Sequence, residues 1–198
     1  MGTSSTGIEL SPPAGYQPGY VLRYPILALN MAAIALFLVM APLLGVLISR
    51  FQWMSFQATD VLLRPLDSAG LFAATILTVA IHELIHGGVL RYYGYRVTYG
   101  VAWRLLVAYA AAFGQFQQRN HALLNALAPL VVITTAVFPL LLIPNHYVAI
   151  FAVITLLINT TGAVGDLYIT WRLLRLPDQT ILYDVDPLQM LIFIPLSQ

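Results

Sequence analysis

Four apolar runs, each long enough to cross a bilayer, alternate along the chain with short polar or mixed segments. The first runs from Pro25 to Ser49 behind Tyr16, Tyr20, Arg23 and Tyr24, the order of an interfacial girdle followed by a transmembrane helix. Residues 50 to 67 mix Arg50, Asp60, Arg64 and Asp67 with Phe51, Trp53, Met54, Phe56, Leu62 and Leu63. That mixture suits a segment lying at a membrane interface, and an ordinary loop accounts for it equally well. The second run extends from Ser68 to about Tyr93 and stops at Gly94. Beyond it, Tyr95 to Trp103 is rich in β-branched and aromatic residues, and Leu106 to Phe113 forms a second short run before Gly114. The pair predicts a β-hairpin-like element; its rival is a short helix over Arg104 to Phe113. Open strand edges are not tolerated in lipid, so such an element must pack on protein, line a cavity or lie at the surface.

After the polar break Gln115 to Asn120, with Asn120 as a candidate cap, the third run spans His121 to Ile143 and contains Pro129 and Pro139. Pro144 and Asn145 form a tight turn, and the fourth run goes from His146 to about Leu174, interrupted only by the polar stretch Asn159 to Asp166. Pro177 to Gln198 alternates polar and apolar residues around Asp178, Asp184 and Asp186, as expected of a strand pair or an extended tail outside the bilayer. Residues 1 to 22 are rich in Ser, Thr, Gly and Pro with no hydrophobic period, which reads as a flexible tail and not as a cleavable signal peptide. The expected fold is an all-α polytopic membrane protein of about four transmembrane helices, with a small β-hairpin-like element between the second and third. Its parts are a tail (1–22), a membrane domain (23–176) and a cytoplasmic C-terminal segment (177–198).

Composition sharpens this picture. Hydrophobic residues make up 60% of the chain and charged residues only 9%, against about a quarter charged in soluble domains. The net charge of +1, with all nine positive residues arginine and scattered, leaves no basic patch for nucleic acid. Cysteine is absent, which excludes disulfides, a thiolate nucleophile and thiolate metal ligands. With four spans, Arg23, Arg91, Arg96, Arg104, Arg119, Arg172 and Arg175 fall on one side and Arg50 and Arg64 on the other. The excess of positive charge puts the first side, and both termini, in the cytoplasm of a multi-pass protein embedded in the lipid bilayer.

The chemistry lies in the second run, which reads Ile81-His82-Glu83-Leu84-Ile85-His86-Gly87. On a helix, His82 and His86 stand one turn apart on one face and can hold one zinc ion, while Glu83 lies about 100° round from His82, placed to act as general base toward a water at that metal. An acidic residue in a membrane helix costs about 2.5 to 3.5 kcal/mol on insertion scales, so one kept there usually has a function. A catalytic zinc commonly has two histidines and a carboxylate. Asp166 is the other acidic residue within an expected span and lies six residues before Arg172, at a depth matching His82 and His86 before Arg91. Gly162 and Gly165 would let the helix open beside it. Asn159 reads either as a contact to a substrate carbonyl or oxyanion, or as a hydrogen-bonding residue between helices. His121, at the mouth of the site, reads as a substrate contact or an interfacial residue; Trp53, Trp103 and Trp171 read as interface anchors.

The His82-Glu83-Leu84-Ile85-His86-Gly87 motif, the Ala-Tyr-Ala-Ala-Ala run at 108 to 112, Leu127-Ala128-Pro129, and Asn159 with Asp166-Leu167 together resemble the small membrane proteins called putative zincin peptidases. Those are similar to the site-2 proteases, intramembrane zinc metallopeptidases. The resemblance covers roughly Leu71 to Asp186. It implies that His82, His86 and Asp166 bind one zinc(2+) ion, that Glu83 is the catalytic base, and that the hairpin guides an extended membrane protein or peptide substrate by strand addition. Two positions depart from the site-2 protease pattern: Leu167 follows Asp166 where those proteins have Asp-Gly, and the span at Pro129 lacks Gly-Pro-x-x-Asn. The rival reading is a non-hydrolytic membrane protein that binds or transports a metal through the same histidines and aspartate. Glu83 separates the two, because a transporter has no need of a base beside the ligands.

Overall fold

The computed structural model describes residues 10–52, 65–103 and 107–196. Their order is β1 (Tyr20–Arg23), α1 (Ile26–Gln52), α2 (Pro65–Tyr92), β2 (Thr98–Ala102), β3 (Val107–Ala111), β4 (Phe116–Gln118), α3 (Arg119–Val137), a 3-10 turn (Phe138–Leu142), α4 (His146–Gly162), α5 (Val164–Leu173), β5 (Ile181–Asp186) and β6 (Gln189–Phe193). Among the described residues, three helical stretches are long and apolar enough to cross a membrane: Ile26–Arg50, Ser68–Tyr92 and Arg119–Leu142. Tyr147–Gly162 and Val164–Leu173, bent by 41° at their break, make a fourth if the pair is one span. The apolar runs of the sequence therefore become helices within a few residues of their expected bounds. The segment expected at an interface between the first two falls largely on residues 53–64, outside the described residues.

By its contacts the chain forms two compact units, one of Met1–Pro25, His86–Leu127 and Asp166–Gln198, the other of Ile26–Ile85 and Ala128–Gly165. In the second unit, Leu44 and Ile48 of α1 pack with Leu141 of the 3-10 turn and with Ala149, Ala152, Val153, Leu156 and Leu157 of α4. Alanines at the contact let the backbones approach closely, as is usual between apolar helices. Buried Thr78 of α2 donates to the Ala74 carbonyl and lies 3.3 Å from Thr155 of α4. The turn at Asn145 opens α4 as expected: its side-chain oxygen accepts the N–H groups of Tyr147 (3.0 Å) and Val148 (3.2 Å), two of the donors a helix start leaves unpaired. Pro129 sits inside α3, whereas Pro139 lies where the helix tightens into the 3-10 turn.

The first unit holds more β structure than an all-α reading allows. A four-stranded antiparallel sheet has the order β1-β6-β5-β4, and β2 pairs with β3 in a separate hairpin. Thr98 faces Ala111 and Ala102 faces Val107, so the hairpin, and not the short helix, forms between the second and third long helices. The expected C-terminal strand pair is β5 and β6, with a register shift between Asp184 and Asp186. The larger difference lies at the start of the chain. Part of the expected tail is structured: Tyr20 to Arg23 pair with Ile192 to Gln189 along β6, Tyr16 bridges Pro195, and the Tyr16 hydroxyl donates to the Gln179 carbonyl (2.9 Å). Four residues are too few to show a strand period, and the partner strand lies at the opposite end of the sequence. Beneath the sheet, Leu22, Leu182, Met190 and Ile192 bury against Ala126 of α3 and Ile169 and Leu173 of α5. Helix α3 starts at Arg119, one residue before the expected cap, because the chain passes directly from β4 into it; the Arg119 N–H donates to the Thr180 carbonyl (3.0 Å) and Asn120 accepts from the Arg119 guanidinium (3.1 Å).

Candidate metal centre

Helix α2 runs without a break through His82 and His86, so the two imidazoles are stacked one turn apart, and both are buried. Each has its Nδ1 engaged: that of His82 lies 3.0 Å from the Asn159 side-chain oxygen, and that of His86 lies 2.9 Å from the Asn125 backbone carbonyl. Both contacts are to oxygens, so a neutral ring with its proton on Nδ1 satisfies each, and Nε2 is then the nitrogen that would coordinate a metal. Metal-binding histidines have this second contact almost without exception.

The third candidate ligand comes from a bend. Helix α4 ends at Gly162, Ala163 donates to the Asn159 carbonyl (3.0 Å), and α5 begins at Val164. The sequence places the opening at Gly162 and Gly165, and the break falls between them. Asp166 consequently sits in the first turn of α5, where the helix dipole favours a carboxylate. Its Oδ2 is 3.5 Å from His86 Nε2. His82, His86 and Asp166 each present one ligand atom, all within 4.8 Å of one another.

This arrangement fits zinc. Ligand atoms about 2.0 to 2.1 Å from a tetrahedral zinc stand about 3.3 to 3.4 Å apart, close to the 3.5 Å between His86 and Asp166. Two imidazole nitrogens and one carboxylate oxygen are also the donor set of a catalytic zinc with one open position. Glu83, one residue beyond His82 and half-buried, lies beside this face of α2. The structure thus brings together the three residues expected to hold metal, and keeps Glu83 on the same helix turn.

A sequence model of a protein family, described as Putative zincin peptidase, matches residues 75–181, more than half of the 198-residue chain. The chain belongs to that family. No curated protein and no solved structure matches it. The family description carries zinc metallopeptidase chemistry at a coarse level, and the matched residues of this zincin-family chain include both histidines, Glu83, Asn159 and Asp166.

Asn159 sits differently from a substrate contact. It is 1% exposed, its oxygen is taken by His82, and its nitrogen donates to the Thr134 hydroxyl (3.4 Å). Both ends of the amide are committed, one to the His82 ring and the other to Thr134. Asn125 and Thr134 had no signal in the sequence, since a backbone carbonyl and a helix threonine look the same wherever they occur. His121 joins an aromatic group: its Nδ1 is 2.9 Å from the Tyr95 hydroxyl and its ring stacks on Tyr93 at 3.8 Å. Trp103 and Trp171 are exposed, with the Arg175 guanidinium 3.9 Å over the Trp171 ring; Trp53 lies outside the described residues.

Beside α5, the Tyr24 phenol is pushed well above its ordinary range, first by burial and then by the negative charges of Asp184 and Asp166. Burial likewise pushes the Asp184 carboxyl up to about 6, against the opposing hydrogen bonds from Gln117 and the Ala112 backbone.

Proposed function

We propose that this protein is an intramembrane zinc metallopeptidase that hydrolyses a peptide bond within or next to the bilayer. The observation that carries the reading is the convergence of two imidazoles, each engaged through Nδ1, with the Asp166 carboxylate, and Glu83 one residue from His82.

His82, His86 and Asp166 would hold a zinc ion, which would supply Lewis-acid activation of water and carbonyl. The chain does the rest. Glu83 takes a proton from the water as it attacks the scissile carbonyl carbon, and delivers that proton to the amide nitrogen as the C–N bond breaks. Asn159 and the Asn125 carbonyl keep the imidazoles aimed, so ligand geometry does not change as charge develops. The β2–β3 hairpin offers main-chain donors and acceptors at its edges, and pairing with them holds a substrate extended, exposing a carbonyl that a helical substrate would shield.

Sheet pairing supports the membrane topology. β1 precedes α1, β4 lies between α2 and α3, and β5 and β6 follow α5, yet all four strands share one sheet. A single sheet cannot be divided by a bilayer, so an even number of crossings separates β1 from β4 and β4 from β5. Helices α1 and α2 supply two; α3 and the bent α4–α5 pair supply the other two. The chain then crosses four times with both termini on one side, and the arginine excess makes that side cytoplasmic.

The deciding test combines elemental analysis of purified protein with cleavage of quenched fluorescent peptides. One zinc per chain and cleavage that disappears in Glu83→Gln are expected. Full cleavage by Glu83→Gln would reject the mechanism, and absence of any bound metal in wild type would reject the function.

A further inference from the structure

The residue after the second histidine ligand is Gly87, and the space where its side chain would stand is filled by Tyr99 of the hairpin. A Cβ built on Gly87 would meet the Tyr99 hydroxyl, with Cζ at 2.5 Å and Cε1 at 2.9 Å. No side chain other than hydrogen fits there while that ring stays in place. Four residues on, the Arg91 guanidinium lies over the same ring, 5.4 Å from its centroid, a distance at which a cation is attracted to the π face. The ring is therefore met at its tip by Gly87 and across its face by Arg91. The hairpin repeats the device internally: Gly100, paired with Tyr109, has that residue's Cζ 2.6 Å from its own missing Cβ.

The direction round the helix gives this seat its meaning. At about 100° per residue, His86 lies about 60° to one side of Glu83, and Gly87 lies about 40° to the other. On this one unbroken helix the ligands flank the base on one side and Tyr99 flanks it on the other.

We propose that Tyr99 is a positioning residue: seated at Gly87, it fixes β2 on the flank of α2 next to Glu83, so that a peptide paired with the hairpin passes over the base. This rests on the peptidase reading above and adds to it the residue that sets where the substrate lies.

The test uses the full chain in detergent with nitroxide labels at Tyr92 and Val107, both exposed; the absence of native cysteine makes such labelling specific. Wild type and Tyr99→Phe, which keeps the ring, should give one narrow distance distribution. Gly87→Ala should broaden it while zinc content stays at the wild-type level, showing a folded metal site. Tyr99→Ala should broaden it too, and Gly87→Ala added to Tyr99→Ala should change nothing more, because the collision needs the ring. On quenched peptides, Gly87→Ala and Tyr99→Ala should lose about tenfold or more in kcat/KM through KM, as misplacement of a substrate does. A narrow distribution in Gly87→Ala, or a further change in the double variant, overturns the seat. Unchanged KM in a broadened variant overturns its role in placing substrate. If wild type cleaves no peptide while Gly87→Ala still broadens, the peptidase reading fails and the positioning role falls with it, although the seat itself remains.

Discussion

His82 Nδ1 and the Asn159 side-chain oxygen stand 3.0 Å apart, although 77 residues separate them in the chain. The contact makes Asn159 the residue that aims the His82 ring. Replacing it with alanine removes the acceptor and frees the ring to rotate. Loss of such a contact typically weakens a metal site by about 10- to 100-fold. Chelator competition on Asn159→Ala should read a loss in that range; unchanged zinc affinity would show that packing alone holds the ring.

Ligands and base should separate on substitution. His82→Ala, His86→Ala and Asp166→Ala each leave two protein ligands, too few for a stable tetrahedral site, and should lose zinc and cleavage together. Glu83→Gln keeps its shape and should retain zinc while cleavage disappears. Loss of zinc from Glu83→Gln equal to that from His82→Ala would make Glu83 a ligand and end the proposed mechanism.

For the hairpin, Val101 pairs with Ala108 in β2 and β3. Proline at 101 removes a backbone donor from the strand. Val101→Pro should retain zinc and elute from detergent chromatography like wild type, yet cleave peptides more slowly. Wild-type cleavage would favour a substrate that unwinds unaided in a water-filled cleft.

Topology has a direct readout. Single cysteines at Leu10 and Leu196 should react with a membrane-impermeant maleimide only when it reaches the cytoplasmic face, and one at Asn145 only from the opposite face. Labelling of all three from one side would remove the four-span arrangement.

Asp184 predicts how stability responds to acid. Its carboxyl is pushed up to about 6 from an ordinary 3.8, so between those values the folded protein holds more protons than the unfolded chain. Stability therefore falls as pH rises through that window, and the cost of the buried charge is complete above it. Asp184→Asn keeps an oxygen that can accept from Gln117, which now donates to Asp184 at 2.6 Å. The variant should melt higher than wild type at pH 7 and lose this part of the slope between pH 4 and 6. A lower melting temperature at pH 7 would mean that the hydrogen bonds outweigh the desolvation.

Much of this protein follows from local pattern. The lengths of the apolar runs set α1, α2, α3 and the α4–α5 pair, because helix formation and transfer into an apolar medium depend on residues close together in sequence. The four-residue interval from His82 to His86 likewise fixes two imidazoles on one face of any helix that contains them. Asp166 was legible in part: its depth relative to Arg172 matches that of the histidines, but only the bend at Ala163 brings the carboxylate within 3.5 Å of His86. Tertiary structure alone decided the rest. Tyr20 pairs with Ile192, Asn159 turns to His82, the Asn125 carbonyl receives His86, and Tyr99 fills the gap at Gly87. Each joins segments distant in the chain through a short strand, a main-chain atom or a missing side chain. None of these leaves a period or a composition to read, so the contact exists only once the helices and strands have packed.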